Sequence, residues 1–356
     1  MNPRFVSLLC CPKTGSDLAL EVDELFADQT VRSGTLVGAQ DGCRYPIIEG
    51  VPRFVDREHY ASSFGYEWRK WSRLQFESEN VGRPTAGHTS RMFEAITGLR
   101  PSDLAGKLVV EFGCGPGRFL DLVRRGGGIA VGIDMSVAVE SARENFRGDG
   151  DVLIVQGDIL HPPFRPESFD IGYTIGVLHH TPNPERGLEV LARVVKPNGL
   201  VACCVYPKHT FYDFPSVRTY RSMHQFARSL GGAALARRLA LGYSYFAAYG
   251  LYPLFALLRR IPVIRRLISY LEKYVFVCVN TPDGRWRVLD VFDTITPTFA
   301  STHTAHEVAG WFRTAGCGDV RQTPWCPTSF VGTRVGEMGG ARGGPPARPE
   351  TPPASL

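Results

Sequence analysis

Hydrophobic and polar positions alternate in two rhythms between residues 107 and 205. The apolar runs 107–112, 129–133, 152–156, 169–175 and 199–205 read as buried strands, being short and rich in β-branched residues. Between them, 117–125, 136–147 and 184–195 carry apolar residues at helical spacing. That alternation predicts an α/β fold with a parallel sheet covered on both faces. A helix at 305–315 and strands at 319–323 and 329–333 resume the pattern near the end. The expected division is a small β module (1–55), a helical linker or lid (56–105), a first half of the α/β domain (106–206), a helical insertion (207–300), and the rest of the domain (301–334). Residues 335–356 are Gly/Pro-rich and predict a disordered tail.

The first strand, from Lys107, runs into Gly113-Cys114-Gly115-Pro116-Gly117 before a helix. Glycines at such a turn let the chain bend sharply and let a ligand press against the backbone. An acid, Asp134, closes the next strand, where a nucleoside ribose would offer its two hydroxyls. A dinucleotide fingerprint G-x-G-x-x-G needs a third glycine at position 118, which is Arg118, so that pattern fails.

The G-x-G-x-G spacing, with Glu111 two residues before it, resembles the first motif of class I S-adenosylmethionine (SAM) methyltransferases of the type 11 kind. Gly132-Ile133-Asp134-Met135-Ser136 is similar to the second motif and Gly157-Asp158-Ile159 to the third. Phe169-Asp170-Ile171 through His180 and on to Gly199 is similar to the fourth-strand region. The resemblance implies a Rossmann-like sheet of seven strands, the last pair antiparallel, with the helical insertion following strand five. It also implies SAM as cofactor, held by Glu111, Gly113, Gly115, Gly117, Asp134, Met135, Asp158 and Ile159. Asp134 would accept from the ribose hydroxyls, since a carboxylate offers acceptors only. Asp158 would accept from the adenine amino group, with Ile159 covering the ring. Ser136 is expected to cap the following helix.

His179, His180, Asp293 and His303 are the candidates for acid–base work on the acceptor. Histidine suits that role because its pKa lies near neutrality, although paired histidines here also suit a purely structural role. Thr304 and Glu307 have capping-box spacing, so their expected role is structural. Cys203 and Cys204 read as buried strand residues.

Cys11-Pro12-Lys13-Thr14 and Gly42-Cys43-Arg44-Tyr45-Pro46 resemble the small zinc-ribbon-like module called Trm112-like. Thr14, Gly38 and Asp41 stand where that module has thiolates, so a module without metal is expected. Aromatics at 64, 68 and 71 fit one helix face, either packing on the main domain or closing over the cofactor.

Composition (44% hydrophobic, 21% charged) is that of an ordinary soluble protein. Nine cysteines, irregularly spaced, predict reduced thiols and a cytoplasmic setting. Phe5–Cys11 is too short for a signal core and runs into Pro12. The net charge of +5 is uneven: Lys208 to Lys273 holds eleven Lys/Arg against two acids, leaving the rest of the chain acidic. Arg237-Arg238 and Arg259-Arg260 bracket Leu239–Leu258, twenty uncharged residues, long enough for a bilayer span. A single crossing would separate the last strands from their sheet. The segment therefore reads as a pocket cap, a membrane-surface contact over 237–266, or plain core. The expected acceptor is a hydrophobic small molecule such as an isoprenoid, quinone, polyketide or lipid intermediate, methylated at oxygen or carbon. The flanking charges suit an anionic group on it or an anionic membrane beside it. An RNA or translation-factor methyltransferase and a non-catalytic SAM-binding protein are the alternatives. Nucleic acid is the weaker partner, because aliphatic residues interrupt the basic ones.

Overall fold

The computed structural model describes residues 1–55 and 62–336, and gives no side-chain description for 62–64. Residues 56–61, and the predicted tail from 337 onward, lie outside the described residues, as does the side chain of Phe64.

Five parallel strands form the centre of the main sheet: β5 (Leu108–Phe112), β6 (Ile129–Asp134), β7 (Val152–Gln156), β8 (Phe169–Ile175) and β9 (Val195–Cys204). Two more, β10 (Cys317–Gln322) and β11 (Ser329–Arg334), join as an antiparallel pair, β11 against β9. The order β10-β11-β9-β8-β5-β6-β7 is the expected seven-stranded class I arrangement. Helices α3 (Arg118–Arg125), α4 (Ala138–Asn145), α5 (Pro184–Val194) and α10 (Ala305–Thr314) connect or flank these strands. Val109, Val110 and Phe112 of β5 are fully buried, as are Val131 and Ile133 of β6. Burying each such side chain contributes about 1.5–3 kcal/mol before entropy is counted.

The order reverses at β5, whose neighbours β6 and β8 are reached by connections running in opposite directions. In open α/β sheets such a switch point leaves a crevice at the carboxyl ends of the strands. Two expected boundaries shift. Val195 already pairs with Phe169, and Leu200 pairs with Ile171. The intervening Lys196–Gly199 is therefore a bulge inside β9 rather than a turn before it, with Asn198 at φ +65°. Ser136 stands one residue before the N-cap position, since α4 begins at Ala138; its hydroxyl donates to Asp134 Oδ1 at 2.7 Å and still accepts from the Ala138 N–H at 3.2 Å.

The N-terminal segment forms a separate antiparallel sheet, β1 (Leu18–Leu25), β2 (Val31–Gly38), β3 (Arg44–Ile48) and β4 (Val51–Pro52). It docks on the edge strand β7, where the Phe54 N–H donates to the Gln156 carbonyl at 2.8 Å. Cys11 Sγ donates to Asp41 Oδ2 at 3.3 Å and lies 3.2 Å from the Tyr45 hydroxyl. Thr14 instead bonds Ser16.

The linker region carries α1 (Ser62–Lys70) and α2 (His88–Thr97). Trp71 falls just beyond α1 rather than on its face. The insertion consists of α6 (Pro215–Phe246), α7 (Tyr252–Leu258), α8 (Pro262–Tyr274) and α9 (Gly284–Ile295). Helix α6 is interrupted at Gly232, and Ala247–Leu251 is a π-helical turn before α7. The uncharged run 239–258 is thus not one continuous α-helix. Its Ala240, Ala247, Leu251 and Phe255 share one buried cluster with Val291, Phe292 and Ile295 of α9. Beyond it the chain returns to β10 and β11 in the same sheet.

Candidate active site

A cavity of about 400 Å³ opens at the carboxyl ends of β5 to β9. The glycine turn after β5 forms its floor. The Gly113 and Cys114 N–H groups both donate to the Ile133 carbonyl, at 2.7 and 3.1 Å, which ties the turn to β6. Gly113 (φ +76°) and Gly115 (φ +51°) hold left-handed conformations that a side chain would strain. A Cβ on Gly113 would overlap Val177, and one on Gly115 would sit 3.4 Å from the Trp68 indole. Gly117 differs: it faces Phe146 and does not line the cavity.

Asp134 Oδ2 accepts from the Gly115 N–H at 2.9 Å, and Oδ1 accepts from the Ser136 N–H at 2.8 Å. Met135, Asp158 and Ile159 continue the same wall. Asp158 Oδ1 accepts from the Leu160 N–H at 2.9 Å, and its other oxygen lies 3.1 Å from His161 Nδ1. Glu111 is buried at the end of β5, where burial pushes its carboxyl well above the usual range. The Tyr173 hydroxyl donating at 3.2 Å offsets part of that shift.

The opposite wall comes from the loop after β9 and from the insertion. Tyr206, Phe211 and Tyr212 line it, with Tyr206 and Tyr212 stacked 3.5 Å apart. Helix α9 adds Trp286, Leu289, Asp290 and Asp293. The Tyr206 hydroxyl donates to Asp293 Oδ2 at 3.2 Å. Burial raises Asp290 to about 6, although the Thr281 hydroxyl donates to it at 2.5 Å.

The four candidate acid–base residues separate. His180 and Asp293 line the cavity; His179 and His303 do not. His180 Nδ1 lies 2.7 Å from the Phe299 carbonyl, which can only accept, so Nδ1 carries the proton and Nε2 the lone pair. Burial lowers its pKa, against the pull of Asp293. His179 is fully buried and stacks on Tyr206 at 3.6 Å, and its Nδ1 accepts from the Tyr206 N–H at 3.3 Å. His303 bonds the Ser301 hydroxyl at 2.8 Å and packs against Trp311. Thr304 and Glu307 make the expected capping box for α10.

Trp68, on the face expected to pack or to close over the cofactor, reaches the cavity from α1. Glu67 beside it, and Arg118 at the first position of α3, line the cavity without having been expected there. Neither carboxyl oxygen of Glu67 has a hydrogen-bond partner among the described residues. Burial, with Asp293 and Asp290 nearby, pushes Glu67 well above the usual carboxylate range. The Arg118 guanidinium packs over the Phe119 ring at 4.4 Å and touches Met92 Sδ at 3.8 Å.

These donors and acceptors fit SAM. Asp134 and Asp158 supply acceptors on one wall, the glycine backbone permits close approach, and Arg118 offers a cation suited to a carboxylate. Residues 110–203 match the family described as Methyltransferase domain. A ubiquinone biosynthesis O-methyltransferase of Pseudomonas fluorescens (strain SBW25) is 30% identical over 102 residues, which is 28% of this chain and 44% of that protein. A 24-methylenesterol C-methyltransferase 2 of Oryza sativa subsp. japonica is 28% identical over 179 residues, 49% of this chain and 47% of that one. The chain thus spans less than half the length of these curated relatives. A solved SAM-dependent methyltransferase from Thermotoga maritima shares 17% identity and covers 78% of this chain and 99% of its own, with a TM-score of 0.40. Residues 110–203 are a methyltransferase domain of the class I, SAM-dependent kind.

Proposed function

We propose that the protein transfers a methyl group from SAM to oxygen or carbon of a hydrophobic small molecule. The observation that carries this reading is a single cavity with two unlike walls. One wall is the strand-end loops of the methyltransferase domain; the other is aromatic and comes from the insertion and the loop after β9. The quinone- and sterol-directed names of the two relatives point to the same acceptor class.

When bound, SAM supplies an electrophilic methyl group, and the protein's share is alignment and proton handling. Asp134 would hold the ribose hydroxyls and Asp158 the adenine amino group, with Met135 and Ile159 against the ring. Gly113 and Gly115 would admit the methionine portion. Arg118, among Glu111, Asp290 and Asp293, would pair with its carboxylate. Trp68 would cover the glycine turn and exclude water. His180, protonated on Nδ1 by its contact with Phe299, would receive the acceptor's proton at Nε2, with Asp293 favouring the charged imidazolium. His179 would hold Tyr206 in place and stay out of the chemistry.

Glu67, Asp290 and Asp293 make the acceptor wall acidic. An acceptor with hydroxyl or amine donors fits it, and the anionic partner suited to the basic insertion belongs outside the cavity. Incubation with methyl-labelled SAM and separate lipid, small-molecule and RNA extracts tests the reading. Label should enter the lipid or small-molecule fraction; label in RNA or protein alone would overturn it.

A further inference from the structure

The insertion has an inner face toward the cavity and an outer face toward solvent, and the outer face is apolar. Among the described residues, sixteen of 23 exposed large hydrophobic side chains fall between Met223 and Val275. Scattered exposed hydrophobics are normal; concentration in one helical subdomain marks an interaction surface.

Helix α8 shows how the surface is built. Ile264, Ile268 and Leu271 pack inward against the insertion core. Val263 (85% exposed), Leu267, Tyr270 and Tyr274 point outward. At 3.6 residues per turn these four fall within about 60° of one another, a second apolar stripe beside the buried one. Arg266 and Lys273 occupy the next strip around the helix. The two acids of the basic segment are already engaged, Asp213 with Arg218 at 3.2 Å and Glu272 with Arg259. No ion pair joins Arg260, Arg266 or Lys273 among the described residues, and all three are exposed.

We infer that this face docks on an anionic lipid bilayer, with the outer stripe of α8 in the headgroup–acyl boundary and the flanking arginines at lipid phosphates. An amphipathic helix with aromatic and aliphatic residues beside uncompensated cations is what such a surface binds. A protein partner would need a complementary acidic rim to meet those cations, whereas an anionic leaflet supplies one everywhere. The same subdomain walls the cavity through α9, so docking would bring the acceptor wall close to hydrophobic molecules held in the membrane. The docking does not depend on the methyl-transfer reading.

The test is co-sedimentation of the full chain with phosphatidylcholine vesicles, with and without admixed phosphatidylglycerol, at low and high salt. The protein should pellet with the anionic vesicles and less so as salt rises. The triple variant Arg260→Gln, Arg266→Gln, Lys273→Gln should bind them about fivefold more weakly for each charge removed. Val263→Asp with Leu267→Asp should abolish pelleting. Calorimetric SAM affinity should stay at the wild-type value in both variants, which separates this inference from the cofactor site. Failure of the wild type to pellet with anionic vesicles, or pelleting unaffected by either variant, overturns it. So does sedimentation equilibrium showing a dimer that Val263→Asp and Leu267→Asp dissolve, since a second copy would then cover the face.

Discussion

The carboxylate of Asp134, at the end of β6, accepts a hydrogen bond from the backbone N–H of Gly115 across the β5–β6 crevice at 2.9 Å. One acid therefore both braces the glycine turn and faces the cavity that the turn borders. Asp134→Ala should weaken SAM binding on the order of 1–3 kcal/mol, the scale for losing a charge-assisted hydrogen bond. Calorimetric titration of the folded variant measures it. Wild-type affinity would mean that Asp134 only supports the turn.

His180 is the proposed proton acceptor and His179 a support for Tyr206. Removing a general base typically costs about 10²- to 10⁴-fold in rate, so His180→Ala should lose turnover on that scale while binding SAM normally. Because burial lowers its pKa, the imidazole stays neutral below the pH at which a free histidine would charge. The acid limb of the rate profile should lie below the ordinary histidine value. A profile that falls at or above that value assigns the proton to another group.

Asp290 carries a pH signature. Its folded-state value is raised to about 6 from the ordinary 3.8, so the folded protein holds the proton more tightly than the unfolded chain. Stability contributed by this group is therefore present at low pH, is lost as pH rises from about 4 to about 6, and is flat above that. Asp290→Asn removes the buried charge and should raise stability above pH 6 by up to about 3 kcal/mol, with the Thr281 hydroxyl still able to donate to the amide oxygen. Thermal melts of variant and wild type at pH 4.5 and pH 8 read it out. Equal effects at both pH values would show that the carboxyl does not titrate there.

Cys326 lies 3.6 Å from Cys204, and this hydrogen bond chiefly lowers its thiol pKa to about 6. Cys326 is half-buried, whereas the buried thiols with resolved shifts, Cys10, Cys114, Cys203, Cys204, Cys278 and Cys317, are raised by burial or by a neighbouring thiol. Limited iodoacetamide treatment at neutral pH should modify Cys326 before any of these six. Peptide mass spectrometry gives the order, and Cys204→Ala should slow the reaction at Cys326.

The strand-end motifs were legible because each is local: an apolar run, a turn of glycines, an acid at a fixed place. The sheet followed from their alternation. Glu67, Arg118 and Asp290 were not legible, since each reaches the cavity only when separate segments pack together. Arg118 had even served as negative evidence, the residue that breaks a dinucleotide fingerprint, and it proves to be a cation on the cavity wall. Ser136 looked like a cap by spacing; it sits one residue early, and its hydroxyl accepts from the Ala138 N–H while donating to Asp134. The Lys196–Gly199 stretch has turn chemistry and does bend the chain, yet β9 begins before it because Val195 pairs with Phe169. Gly250 and Pro253 weaken a simple helix over 239–258, and the π-helical turn that divides it falls beside them.

The cavity beside Gly113 and Gly115 is the proposed SAM site, and isothermal titration of the purified chain with SAM tests that most directly. The prediction is saturable binding of one SAM per chain, abolished in Gly115→Val, where a branched side chain would meet Trp68 and fill the approach to the turn. Absence of SAM binding by the folded wild-type protein, or wild-type affinity in folded Gly115→Val, would contradict it.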